Sequence, residues 1–462
     1  MSPHTGSSIN GQDDALNRIS RRVFVQTAGA LAGGLMLPNG TLRADGDAGT
    51  FQFQPDRDLI PAPSEPSLWP DFRRELESWR DRRRRELDYS DALYRRPEFA
   101  WVTSNFACGF LMMYDELFYD QRAGRYTVTR FLEHGQQEYG GYDSVVLWHA
   151  YPRIGLDERN QFDFYRDMPG GLRGVRGVVH ELRAAGVRAF INYNPWDIGT
   201  RREPQPDLEM LCELVRELDV DGIFLDTLSQ GATQFRALLD QTRPGVALES
   251  ELALQVDRVH DHHFSWAQWF ADSAAPGVLR NKWFERRHLQ HQIKRWDHDH
   301  SGELHSAWMN GSGIMIWENV FGSWLGWNPR DRSLVRAMLP IQREFSRLWH
   351  EGRWTPLVPT LQPEVYASLW EQDDLRLWTL VNRSDHMIQG AVLDPKLEPN
   401  RRCFDLVAGK EIQTGTPLVA ELAARGIGSL VALGPERVDA RFREFLRSEE
   451  RRVGKEWRSR WS

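Results

Sequence analysis

From residue 99 onward, apolar runs of strand length alternate with segments whose apolar positions recur every three or four residues. That alternation predicts strands each followed by a helix, the repeat of a parallel βα architecture. Strands are expected at 99–103, 144–148, 188–193, 222–225, 246–248, 263–266, 306–309 and 313–317. Eight is the number that closes a (β/α)8 barrel, so the fold class is α/β with the barrel spanning 96–352. Before it, 45–95 holds a Pro- and Asp-rich lead-in and a charged amphipathic helix at 69–87, placed against the bottom or side of the barrel. Beyond Trp354 the pattern changes to short strands at 365–370, 375–382, 389–393, 403–407 and 427–433 separated by turns, which predicts a small antiparallel β-sandwich over 353–436.

Polar residues fall where such a barrel would carry chemistry, at the C-terminal ends of its strands. The fourth run, Gly222-Ile-Phe-Leu225, leads straight into Asp226, a catalytic candidate that could equally be a cap of the following turn. His149 and Arg153 follow the second run, and Asn192, Asn194, Trp196 and Asp197 the third. Glu249 and Glu251 end the fifth, Trp266 the sixth, and Glu318 and Asn319 the eighth.

Composition adds one feature to this picture. The 462 residues include 19 Trp, thirteen of them between Trp101 and Trp354. Tryptophans on loops above a barrel offer flat apolar faces on which a sugar ring can stack, although for any single Trp a core position is the ordinary expectation. A net charge of −7 with scattered basic residues gives no reason to expect nucleic acid. Cys108, Cys212 and Cys403 lie far apart without a CxxC pair, so buried free thiols are expected.

Both ends stand outside the fold. Arg21-Arg22 precedes a short Ala/Gly/Leu run ending at Pro38, which resembles a twin-arginine export signal over 1–44 and places the mature protein in the periplasm or outside the cell. The run is too short and too glycine-rich for a membrane anchor. At the other end, 437–462 is a tail, and 447–462 resembles the in-frame translation of a sequencing adapter, differing at Trp457. A genuine basic tail is the alternative.

Three segments, Asp167-Met-Pro-Gly-Gly-Leu172, Val178-Val-His-Glu-Leu182 and Gly186-Val-Arg-Ala-Phe-Ile-Asn192, together resemble a recurring part of retaining α-glycosidases of the melibiase and α-glucosidase type. Leu380-Val-Asn-Arg-Ser384 and Phe404-Asp-Leu-Val-Ala-Gly409 are similar to the β-domain that follows the barrel in those families. The resemblance implies an α-linked sugar substrate, no cofactor, and a nucleophilic Asp at the end of the fourth strand, where this chain has Asp226. It also implies an acid/base Asp after the sixth strand, and here the sequence departs: Asp257, Asp261 and Asp272 offer no clear match.

Glycoside hydrolysis needs two carboxyls about 5 to 5.5 Å apart for retention and wider for inversion. Neighbouring parallel strands lie about 4.8 Å apart, so acids ending the fourth and fifth strands can meet the shorter spacing. Glu249 is therefore the expected acid/base, with Glu251, two residues on and on the same face, as its rival. Glu318 is a further candidate across the mouth. His149, Arg153, Asn192, Asn194, Trp196, Asp197, Trp266 and Asn319 are expected to contact the sugar. Each glutamate could instead be a salt-bridged rim residue.

A second class of chemistry competes. Eight of the fourteen histidines lie between His260 and His305, with Asp261, Asp297 and Asp299 interleaved. Imidazole and carboxylate are zinc and iron ligands, so a metal-dependent hydrolase is the alternative. Against it, His288 and His291 are spaced like one polar face of a helix, and 297–302 has the composition of a solvated loop. A non-catalytic carbohydrate-binding barrel is a third reading, since fold alone does not fix function.

Overall fold

The computed structural model describes residues 51–149, 157–196, 200–268, 271–415 and 417–447. The export-type segment, residues 448–462, Arg153 and Asp197 lie outside the described residues, whereas 440–447 of the expected tail is the helix Ala440–Arg447, whose Phe442 is buried against Phe404. From Phe51 the chain forms one compact unit. No described helix is long and apolar enough to cross a membrane.

Eight parallel strands close into a barrel: Ala107–Met112 (β1), Ser144–Trp148 (β2), Arg188–Tyr193 (β3), Gly222–Leu225 (β4), Ala247–Ser250 (β5), Phe264–Ala267 (β6), Leu289–Gln292 (β7) and Ile314–Ile316 (β8). Amphipathic helices such as Val128–Tyr139, Gly171–Ala184 and Asp207–Leu218 bury one apolar stripe each against the strands. Between β5 and β6 the α-helix is replaced by the 3₁₀ turn Val256–Asp261.

Two expected strands are corrected. Residues 99–103 belong to the 3₁₀ helix Pro97–Ser104, which starts at a proline that pre-sets helical φ. Phe99 stacks there on His263 at 3.8 Å. The first strand is the next apolar run, buried on both faces throughout. Residues 306–309 lie in the helix Ser301–Met309, where the Trp308 indole donates to the Gly428 carbonyl at 3.0 Å. The seventh strand is instead the polar run Leu-Gln-His-Gln at 289–292, fully buried and paired with both neighbours. Several of its polar atoms find partners inside: Gln290 Oε1 accepts from the Asn281 and Lys282 amides, and the Gln290 carbonyl accepts from Ser312, while Gln290 Nε2 and Gln292 Oε1 are buried without one.

The C-terminal part is a sandwich. A six-stranded antiparallel sheet joins Arg353–Val358 (β9), Val365–Gln372 (β10), Leu375–Asn382 (β11), Ile427–Leu433, Arg402–Asp405 and Lys410–Ile412 in that order, and the pair Ile388–Leu393 with Leu418–Leu422 covers one face. Val365, Trp378, Leu380, Val392, Leu422 and Leu430 fill the space between. The opposite face joins the barrel's own core through Trp370, which stacks on Trp354 at 4.8 Å and meets Trp349 edge-on at 5.0 Å. Helix Trp69–Glu86 bridges the two parts, with Arg84 donating to the Phe284 carbonyl and Arg73 to the Leu357 carbonyl. All three cysteines are free and buried.

Gly313, just before β8, marks how tightly the barrel interior is filled. A Cβ there would stand 2.5 Å from His291 Cδ2 and 3.0 Å from the Phe106 carbonyl oxygen. Gly313→Ala is expected to cost about 1–3 kcal/mol of stability through overpacking, measured as a lower urea midpoint with an unchanged m-value.

Candidate active site at the barrel mouth

Strand register decides which polar side chains share a height. β4 and β5 pair Phe224 with Glu249 and Leu225 with Ser250, so Asp226 and Glu251 are the next residues on adjacent strands. Carried around the barrel, the pairings sort inward side chains into layers of four drawn from alternate strands, as tilted strands require. Deepest of those that bear on the site are Cys108, Phe190, Glu249 and His291. Above them lie Val146, Phe224, Trp266 and Met315, then Phe110, Asn192, Glu251 and Ile293. Trp148, Asp226, Gln268 and Trp317 form the layer at the mouth.

Ring contacts agree with this order. Phe224 lies 4.5 Å from Trp266, and Phe110 lies 4.1 Å from Trp317 and 5.5 Å from Phe224. Phe224 and Trp266 make an aromatic floor beneath the mouth, with Phe110 one layer above them and Trp317 at the mouth itself.

At the mouth the Trp148 indole N–H donates to Asp226 Oδ2 at 3.2 Å, and the Asp226 amide donates to the Tyr193 carbonyl at 2.9 Å. Glu251 Oε2 accepts the Thr227 amide at 2.6 Å, which ties it to the turn holding Asp226. Thr227 sits at φ 61°, so that turn is a strained one for a β-branched residue. Glu251 Oε1 faces Arg295 Nη1 at 3.2 Å and Gln268 Nε2 at 3.4 Å. The Arg295 guanidinium also lies over the rings of Trp317 and Phe321.

The structure brings Asp226 and Glu251 together and separates the other expected acids from them. Glu249 has no exposure and lies below the apolar layer containing Trp266, so it cannot reach a substrate at the mouth. Glu318 follows the inward-facing Trp317 and therefore turns outward, where Oε2 meets His134 Nε2 at 2.7 Å on the helix after β1. That hydrogen bond raises the His134 pKa above its usual value against the opposing effect of burial. Of the aspartates weighed as a match after the sixth strand, Asp257 is exposed, Asp261 pairs with Arg258 and Asp272 with Arg383.

The expected sugar contacts divide the same way. His149 turns outward behind Trp148, packs on Tyr165 at 4.1 Å, and is held to a pKa of about 3 by burial. Trp266 is sealed in the floor. Asn192 points inward, one layer below Asp226, with both amide atoms buried and without a partner. Asn194 shapes the next loop, its Oδ1 accepting the Trp196 amide at 2.9 Å, and that loop presents a half-exposed Trp196. Asn319 Nδ2 donates to Asp115 Oδ2 on the loop after β1. Trp148, Gln268, Arg295 and Asp115 are mouth residues that the sequence did not single out. Trp148 alone left a signal, as the last inward position of a correctly placed strand.

The histidine-rich segment does not converge. His262, His263 and His288 stand at the starts of β6 and β7, His260 is exposed, and His305 bonds the Arg425 carbonyl in the sandwich. His300 stacks on Trp327 and bonds Glu303. Among the described residues, Cys108, Glu249 and His291 place potential metal-donor atoms within 4.8 Å of one another. Both His291 nitrogens are already engaged, Nδ1 at 2.6 Å from Glu249 Oε1 and Nε2 at 3.1 Å from the Asn105 carbonyl. With the carboxylate and the carbonyl both accepting, the ring is the doubly protonated imidazolium and the pair a buried ion pair, the arrangement that the raised His291 pKa favours. Complete burial pulls the His291 pKa down, but the charge and hydrogen bond of Glu249 outweigh it and leave it raised.

No family model and no curated sequence matches the chain. By fold it is similar to solved glycoside hydrolases. An Anoxybacillus α-amylase aligns with a TM-score of 0.52 at 11% identity, over 72% of this chain and 99% of that one. The α-amylase of Geobacillus thermoleovorans, solved with acarbose, aligns at 0.50 and 12% identity over 72% and 99%. AmyP, solved with maltose, aligns at 0.50 and 12% over 73% and 98%. At such identities the likeness is one of fold, a parallel eight-stranded barrel followed by an antiparallel β-domain.

The ion pair makes stability pH-dependent with a definite sign. A raised histidine pKa contributes stability that is complete below about pH 6.5 and is lost as pH climbs through the raised value. Measured by urea unfolding from pH 6 to 9, the stability advantage of the wild type over the neutral double variant Glu249→Gln/His291→Gln is expected to shrink steadily with pH.

Proposed function

We propose that the protein is a glycoside hydrolase that cleaves an α-linked sugar with retention, exported by its twin-arginine segment. The observation that carries this reading is the placement of Asp226 and Glu251 at the ends of adjacent strands, both inward, at the top of the barrel. Strand spacing of about 4.8 Å suits the 5 to 5.5 Å separation used for retention. The α-amylases that share the fold, and the resemblance of 167–192 to α-glycosidases, support the α-linkage.

In this mechanism Asp226 attacks the anomeric carbon, oriented by the Trp148 N–H on its Oδ2. Glu251 gives a proton to the departing glycosidic oxygen and then takes one from the water that hydrolyses the glycosyl ester. Of its two oxygens, Oε2 is held by the short bond from Thr227, whereas Oε1 has only the longer contacts with Arg295 and Gln268. Oε1 is therefore the atom that exchanges the proton. The acid/base role moves from Glu249 to Glu251 because only the latter stands above the aromatic floor.

Hydrolysis of aryl α- and β-glycosides tests the reading. Asp226→Ala is expected to abolish activity, and Glu251→Gln to lower kcat by about 10²–10⁴-fold on substrates with poor leaving groups. Glu249→Gln is expected to act on stability rather than on the rate. Activity that survives Glu251→Gln, or that is lost to EDTA and restored by zinc, would overturn the assignment.

A further inference from the structure

Next to the Gln268 and Arg295 side chains that contact Glu251 Oε1 is a cavity. It lies between the loops after β6 and β7, has a volume of about 360 Å³, and is lined by Gln268, Ile293, Lys294, Arg295, Trp296 and Asp297 among others. Gln268 and Arg295 are the two groups that contact Glu251 Oε1, so the cavity adjoins the acid/base side of the site through these two side chains. An aromatic path links it to the nucleophile: Trp148, bonded to Asp226, lies 5.4 Å from Phe321, and Phe321 lies 5.9 Å from Trp296.

Trp296 is 47% exposed in this cavity, an unusual state for so large an apolar ring. Trp196 on the loop after β3 and Trp324 after β8 are 49% and 57% exposed. These three tryptophans, the exposed ones among the described residues, all stand on loops at the C-terminal face. A flat indole face beside a short row of amide, ammonium, guanidinium and carboxylate groups matches a sugar, whose ring has an apolar C–H face and hydroxyls that both donate and accept. The volume falls at the small end of ligand pockets, which run from about 300 to 1,000 Å³, and so suits one ring.

Resting on the glycosidase reading above, we infer that this cavity is the leaving-group subsite, in which the sugar ring beyond the scissile bond stacks on Trp296. The substrate class is then an α-linked oligosaccharide or polysaccharide, not a single sugar carrying a small aglycone. When Glu251 Oε1 protonates the glycosidic oxygen, that C–O bond breaks toward the cavity and the leaving sugar departs as an alcohol.

Glycosyl fluorides separate this subsite from the reacting centre, because fluoride is too small to enter the cavity. Wild type and Trp296→Ala would be compared on α-glucosyl and α-galactosyl fluoride and on the oligosaccharides maltopentaose and stachyose. The expected result is a fall of at least about tenfold in the ratio of kcat/KM for oligosaccharide over fluoride, largely restored by Trp296→Phe, which keeps a stacking face. An unchanged ratio, including an equal loss on both substrates, would overturn the subsite and leave the hydrolase reading standing. Turnover of neither substrate class by the wild type would overturn both.

Discussion

Closure of the barrel fixes the height of every inward side chain, and the usable chemistry follows from that one constraint. Strands that tilt and stagger to meet edge to edge present alternate residues in discrete layers, with no freedom to slip by one residue without turning the whole strand inside out. Glu249 and Glu251 differ by a single pleat repeat, about 6.6 Å along the strand. One lies under a layer of Val146, Phe224, Trp266 and Met315, and the other is hydrogen-bonded to the turn that carries Asp226. Identical side chains on one strand therefore have different environments.

The deeper of the two is not an idle group. A carboxyl without solvent contact needs a partner, and His291 supplies one from two strands along the barrel wall while Phe264, on the strand between, stacks on its ring at 5.3 Å. The aromatic layers above serve two ends. They cover that ion pair, and they give the mouth a dry floor over which interactions with Asp226 and Glu251 are less screened by water. Asn192, in Glu251's own layer, and the Trp266 indole N–H below it are polar groups buried there without a partner.

Much of the packing is concentrated away from the barrel mouth. The six-stranded sheet, helix Trp69–Glu86 and the tryptophan cluster of Trp349, Trp354 and Trp370 pack the barrel's flank. The loops above the strands are thereby free to present exposed rings and charges, the division of labour that lets one barrel frame serve many substrates.

Much of the frame was legible in the sequence: six of the barrel strands, the sandwich, the charged helix and Asp226 at the end of β4 follow from periodicity and from apolar runs ending in polar residues. The failures have physical causes. Leu289-Gln-His-Gln292 has the polarity of a surface segment, and it is a buried strand only because Asn281, Ser312 and Glu249 come from elsewhere in the chain to satisfy it. Phe99 to Val102 has the composition of a strand, but its neighbours in space make it a turn of helix. Local sequence thus determined which segments could be strands and which acids were available near their ends. The relative stagger of eight strands, a property of the closed sheet and of no single segment, decided which acid faces the mouth, because register is set by packing between strands distant in sequence.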